Sequence, residues 1–311
     1  MKRSTSLLIF LALISCKSKP ISSKYNKIDS INSSSQANEL LHKLVGDYAK
    51  SYVVTDTLSF IQSDFRKLSA LVTPVSWQKA DFDNNGYTDL LIVAKDTDKI
   101  FNGNRYYVGC VMDSGSNKFY VKSLTDFFLN SAIAVVRTID SLPAIIYYDY
   151  DKLNVYQTGV KGDTLIFKFG DFMEYNKHPT IHNIQNIKFE TSSCFGPCPV
   201  FNLTIDKNTN GTYTAIRYNK NNNKQDIQGT FKSKITSKEY KAIEELINYM
   251  DFENLKEKYT VNWTDDQTAT LTITYDNGKT KVISDYGQQG TFNLRRLYKM
   301  LYALRLNQNW H

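Results

Sequence analysis

Between about residues 75 and 175 the chain repeats one pattern: short runs of aromatic and β-branched residues, each stopped by Asp, Asn or Gly. LLIVAKD, YYVGCVMD, FYVKSL, AIAVVRTID, AIIYYDY, LNVYQT and TLIFKF are too short for ordinary helices. Their turn-rich boundaries mark strands that pair with their neighbours in sequence. This part is therefore expected to be a mostly antiparallel sheet assembly, and the 21 Tyr and 17 Phe of the chain suit it.

The period differs on either side. In ANELLHKLVGDYAKSY, Leu40, Leu41, Leu44 and Val45 recur at helical spacing, and DTLSFIQSDFRKLSALV suits a shorter helix. His42 lies on the first of these and is assigned no role. After Lys177 to His182 a new series starts, with strands expected at 184–190, 200–206, 211–218 and 226–232. A helix follows, capped by Thr236 with Glu239 three residues on, and striped by Tyr240, Ile243, Leu246, Ile247 and Met250. TATLTITYD and KTKVISDY flank Asp276-Asn277-Gly278, a hairpin signal. Leu294, Leu297, Leu301 and Leu304 then define a last helix. The fold class expected is α+β in two domains: a mainly antiparallel β domain with N-terminal helices over 37–176, and a compact α+β domain with two helices over 177–311.

Charge excludes one class of partner. The 38 basic and 31 acidic residues give +7, and +5 without Lys2 and Arg3, with no dense basic stripe, so nucleic-acid binding has no support. Nor do the histidine-poor composition and the absence of a G-x-S-x-G, H-E-x-x-H or phosphate-loop motif favour a familiar catalytic centre.

The chain opens MKRSTSLLIFLALISC. Lys2 and Arg3 precede an apolar run from Leu7 to Ile14 that is shorter than the roughly 20 residues a spanning helix needs, so it reads as an export signal over 1–15. Leu13-Ile14-Ser15-Cys16 resembles the lipobox of bacterial lipoproteins. That resemblance implies cleavage before Cys16, its acylation, and a chain held on a membrane by lipid. Residues 16–36, rich in Ser, Asn and Lys, are expected to be a flexible tether. Lys17 in place of an acidic retention signal points to the outer membrane of the cell envelope, facing the periplasm or the cell surface.

Two further motifs carry chemistry. In ADFDNNGYTDLLIVA, Asp81, Asp83 and Asn85 alternate, Gly86 permits a sharp turn and Asp89 returns before a strand. This resembles the D-x-D-x-N-G-x-x-D calcium loops between strands of integrin-like propellers. The resemblance implies a calcium ion held by Asp81, Asp83, Asn85, Asp89 and the Tyr87 carbonyl. The motif occurs once, so no propeller is expected, and Asp and Asn closing a turn on their own backbone is the competing account.

The second motif is Cys194-Phe195-Gly196-Pro197-Cys198-Pro199. With Cys16 assigned to lipid, Cys110, Cys194 and Cys198 remain, and Cys110 sits in a strand-like run as a buried apolar residue. Cys194 and Cys198 are the natural disulfide pair in an oxidising compartment. A reduced buried pair, a redox thiol pair and a zinc site with His178 and His182 are the alternatives. Asp265 and Asp266 beside Trp263, with Asp285 and Tyr286, come nearest to a polar pocket, and turn caps account for them equally well.

IKFETSSCFGPCPVFNLTID, the GTYTAI strand, the Thr264-Asp265 pair and YGQQGTFNLRRLYKML together resemble an uncharacterised domain family of lipoproteins from Bacteroidetes-type bacteria, over about residues 180 to 308. No activity comes with that resemblance. The function expected is that of a membrane-anchored binding or structural module with an unidentified envelope or extracellular partner. The competing class is an exported thiol redox protein or an unrecognised hydrolase.

Overall fold

The computed structural model describes residues 24–60, 63–98, 105–125, 132–150, 160–221 and 223–311. It has an α+β fold with an N-terminal mixed β/α region and a C-terminal sheet with two helices. The expected export signal over 1–15, the lipid-bearing Cys16 and the expected run LNVYQT lie outside the described residues.

Helix α1 (Ser34–Val45) is capped by Ser33, whose hydroxyl accepts from the Gln36 N–H, and ends at Gly46 with φ +66°. Strand β1 (Tyr52–Val53), helix α2 (Ser63–Val72), and strands β2 (Trp77–Ala80), β3 (Asp89–Asp96), β4 (Arg105–Asp113) and β5 (Phe119–Ser123) follow. β3, β4 and β5 form an antiparallel meander, and β1 and β2 both pair with β3 at different points along it. β4 is buried along its whole length, because the sheet is covered on both faces. One face, with Leu90, Ile92 and Val111, packs on Leu40 and Leu41 of α1.

The other face, with Leu91, Val93, Val108 and Met112, meets a second antiparallel sheet: β6 (Ile133–Ile139), β7 (Leu142–Tyr150), β8 (Val160–Lys168) and β9 (Asp171–Glu174). Strand alternation makes this second sheet shared property. Ile145, Leu165 and Phe172 point into the N-terminal core, while their neighbours Ala144, Ile166 and Met173 belong to the C-terminal core. The chain passes from one half to the other near residue 177, yet apolar packing runs across that point.

The C-terminal sheet comprises β10 (Ile184–Thr191), β11 (Val200–Asp206), β12 (Asn210–Lys220), β13 (Asp226–Lys234), β14 (Lys258–Thr260), β15 (Thr268–Tyr275) and β16 (Lys279–Tyr286), in the order β13-β12-β11-β10-β15-β16-β14. Only the short β14 runs parallel to its neighbour. Helix α3 (Ser237–Tyr249) starts at Thr236, whose hydroxyl accepts from the Glu239 N–H, and buries Tyr240, Ile243, Leu246 and Ile247. Helix α4 (Phe292–Asn307) buries Leu294, Leu297, Leu301 and Leu304. The hairpin β15–β16 turns through Asp276, Asn277 and Gly278, all at positive φ.

Residues 24–36, expected as part of the tether, are ordered. Ile28 and Ile31 are buried against the first sheet, and a short 3-10 turn over Lys27–Ser30 is closed by Asn26 and Asp29 reciprocally. Their low apolar content suggested too little burial to offset ordering, but two isoleucines in a groove and one well-placed Asn suffice.

Candidate functional site

The turn from β2 into β3 draws the predicted acidic residues together. Ligand atoms of Asp81, Asp83 and Asp89 all lie within 4.8 Å of one another, a group that can coordinate a divalent cation. Gly86 takes φ +87° where the turn reverses, a conformation other residues rarely adopt. Asp81 accepts from the N–H groups of Asn85 (3.0 Å) and Gly86 (2.8 Å), so it also closes the turn.

Asp89 is fully buried at the start of β3. Its two oxygens accept from Phe82 N–H (2.9 Å) and Asp113 N–H (2.8 Å). Burial pushes its carboxyl up to about 7, with the charges of Asp83 and Asp81 adding to the rise against those two N–H donors. Burial and the neighbouring Asp81 charge also raise Asp83. Clustered carboxylates that resist ionisation together are the electrostatic setting in which a cation stabilises the charged state.

Asn85, another predicted ligand, is placed less favourably. Asn85 turns its amide nitrogen toward Asp83 Oδ2 (3.0 Å) and the Asp113 carbonyl (2.7 Å), while its oxygen accepts from Tyr87 N–H (2.8 Å). It therefore acts here as a donor among acids, and an amide rotation is needed before its oxygen faces them. The Tyr87 ring carries Lys24 Nζ at 4.8 Å from its centroid.

Sequence reasoning missed two residues of this region. Asp113, at the end of β4, is fully buried and braces the following turn through N–H groups of Gly115 and Asn117 (2.9 and 3.0 Å). Asn26 donates to Asp113 Oδ2 (3.0 Å) and to the Thr88 carbonyl (2.6 Å). The signals existed, in Asp113-Ser114-Gly115 as a turn and Asn26-x-x-Asp29 as a cap, but nothing local links positions 87 apart.

Cys194 and Cys198 form a disulfide with Cα atoms 5.8 Å apart. The bridge is half-buried in the loop between β10 and β11, and Phe195 at its tip is 88% exposed. Both loop ends are fastened: Gln267 Nε2 donates to the carbonyls of Ser192 (2.6 Å) and Pro199 (2.9 Å), and Thr191 Oγ1 to Pro199 (2.9 Å). The Phe195 N–H bonds the Asp265 carbonyl at 3.0 Å. The bridge leads into strand β11, so neither sulfur sits at a helix N-terminus.

His182 does not join the cysteines; its ring lies between Asp276 (2.7 Å) and Glu253 (3.1 Å). Cys110 is free and buried, and burial holds its thiol well up. Trp263 Nε1 donates to Asp266 Oδ2 (3.0 Å), and Asp266 N–H to the Tyr286 hydroxyl (3.2 Å). Buried Asp285 accepts from Gln289 N–H (3.1 Å) and Gly290 N–H (2.9 Å), so it braces the turn into α4. No described helix is long and apolar enough to cross a membrane.

No curated protein matches the chain. A family model described as a domain of unknown function (DUF6438) matches residues 185–305, the part that holds the cysteine loop, α3, α4 apart from its last two residues, and the C-terminal sheet apart from the first residue of β10.

Proposed function

We propose that this chain is an exported protein, tethered by lipid on Cys16 to the outer membrane of the cell envelope, whose Cys194–Cys198 loop acts on an envelope partner by thiol–disulfide exchange. The observation that carries this reading is the closed bridge in a solvent-facing loop. Bridges of this kind persist in oxidising compartments. In the exchange, a partner thiolate attacks one bridge sulfur. The bond between the two cysteines breaks, a mixed disulfide forms, and the released sulfur takes a proton. Attack by a second partner thiol then frees the reduced pair, so the bridge gains the two electrons that the partner loses. Slow exchange with simple thiols is expected, because no helix N-terminus stabilises a leaving thiolate.

Intact mass after thiol alkylation, before and after exposure to a graded glutathione buffer, tests this reading. Reduction of the bridge at envelope potentials, with a mixed disulfide trapped by Cys198→Ser, supports exchange. A bridge that opens only under strong reductant, with no trapped adduct, sinks it. That outcome favours a second reading, in which the exposed Phe195 on a fastened loop is an apolar docking point.

The anchoring part is tested separately by Cys16→Ser in the full chain, which should move the protein from the membrane to the soluble envelope fraction. Only seven residues separate Cys16 from Lys24, eight steps along the chain that span at most about 28 Å. Lys24 N–H bonds the Gly86 carbonyl at 2.7 Å, so a lipid on Cys16 keeps the acidic turn close to the bilayer.

For the acidic turn the finer reading is calcium, with Asp81, Asp83 and Asp89 as carboxylate ligands and Asn85 and the Tyr87 carbonyl joining after the Asn85 amide rotates. A hard cation with oxygen ligands on a turn suits calcium. Calorimetric titration of the metal-free protein with calcium and magnesium decides it. No heat from either ion, or no change on Asp83→Asn, removes the calcium reading.

A further inference from the structure

We propose that the cleft between β9, the 287–289 turn and the first half of α4 binds a small anionic molecule, one carrying a carboxylate or phosphate group on a planar apolar body. The cleft encloses about 590 Å³, within the range of small-molecule sites. Arg295, Arg296 and Lys299 line it from α4, and Trp263, Phe292 and Tyr302 supply aromatic surface.

The charge arrangement singles out Arg296. Asp171 in the same wall is already matched by Lys299 (3.2 Å) and Lys122 (3.6 Å). Asp266 is engaged by Trp263 and by Gln267 N–H (2.8 Å). Arg295 stacks on Phe292, 4.0 Å from the ring centroid. Arg296 has no ion-pair partner among the described residues, and its Nε is buried without a hydrogen bond. A guanidinium that lines a cleft without a counter-charge is matched best by an oxyanion, which its fork of donors can hold bidentately.

Helix polarity points the same way. The first turn of α4 has no acidic residue, and two arginines follow directly, where the helix dipole disfavours cations. The leading N–H groups are not open to the ligand, since Glu174 accepts from Phe292 N–H (2.6 Å) and Asn293 N–H (2.7 Å). The Arg296 side chain is thus the anion receptor. Tyr302 and Gln288 both donate to Gln267 Oε1 (2.6 and 3.0 Å), so this side of the cleft is built on the residue that also fastens the cysteine loop. The inference rests on neither thiol exchange nor the acidic turn.

Calorimetric titration of the full-length protein with phenyl phosphate, benzoate, inorganic phosphate and neutral benzyl alcohol tests it. Saturable one-to-one binding of an aromatic anion is expected, weakened by salt, with no response to benzyl alcohol. Arg296→Gln should weaken it about 10- to 100-fold, the worth of a hydrogen bond to a charged group. Lys299→Gln, at a side chain 66% exposed and so without consequence for folding, should weaken it severalfold, and the distant Lys241→Gln not at all. No saturation by either aromatic anion up to about 10 mM, weaker than the millimolar end of useful affinity, overturns the proposal. So does undiminished binding in both the Arg296 and Lys299 variants. Inorganic phosphate binding as tightly as phenyl phosphate overturns the aromatic half.

Discussion

Replacing Asn26 with alanine tests whether the segment before α1 is part of the folded body. The Asn26 oxygen accepts from Ile28 N–H (2.9 Å) and Asp29 N–H (3.2 Å), a cap that contributes about 1 kcal/mol. Its nitrogen donates to the buried Asp113 carboxylate at 3.0 Å, and a bond to a charged group contributes about 1.5–3 kcal/mol. The Thr88 carbonyl loses its 2.6 Å partner as well, worth about 1 kcal/mol, although water re-entering the site recovers part of the total. The expected loss is about 3 kcal/mol, the sum of cap and pin less that recovery. Urea unfolding followed by tryptophan fluorescence measures it, with Trp77 as a nearby reporter through its 3.3 Å bond to Ser34. Asn26→Asp separates the contributions, since it keeps the cap but sets a second carboxylate against Asp113, and should cost at least as much at neutral pH. A loss under about 0.5 kcal/mol in Asn26→Ala, the scale of an ordinary surface change, refutes the reasoning and returns residues 24–36 to the tether.

Three other perturbations follow from the C-terminal half. Burial raises the Asp285 carboxyl from 3.8 to about 6. Its contribution is therefore full below about pH 4 and is lost as pH rises through about 6, roughly 3 kcal/mol in all. Asp285→Asn should flatten that dependence in paired urea titrations, and a pH-independent difference between the two proteins defeats the assignment. Glu174→Ala leaves two N–H groups of α4 without their acceptor and should cost about 2–4 kcal/mol, with Glu174→Gln recovering part by keeping one oxygen; equal losses in both variants count against it. Cys194→Ser with Cys198→Ser should lower stability by only about 2 kcal/mol, because the closed loop is short. The side-chain bonds from Gln267 and Thr191 should hold the strands in register, and loss of cooperative thermal unfolding contradicts that.

Where local chemistry decides the outcome, the sequence was a good guide. The stripe from Tyr240 to Met250 and the Thr236 cap became α3, and Asp276-Asn277-Gly278 became the β15–β16 turn. The Asp81, Asp83 and Asp89 cluster was legible because its spacing and Gly86 set one tight turn. The orientation of the Asn85 amide was not legible, since whether an amide offers oxygen or nitrogen depends on what surrounds it.

The α+β character, most of the longer strands, the Thr236 cap and the acidic turn were determined by the sequence by itself, because each follows from residues a few positions apart. Tertiary structure alone decided that the second sheet serves two cores, that Asn26 reaches Asp113, and that Glu174 caps α4. It also decided that Arg296, with no ion-pair partner among the described residues, lines a cleft. These depend on which surfaces meet after the chain collapses, and periodicity records only that a face is apolar, not what will cover it.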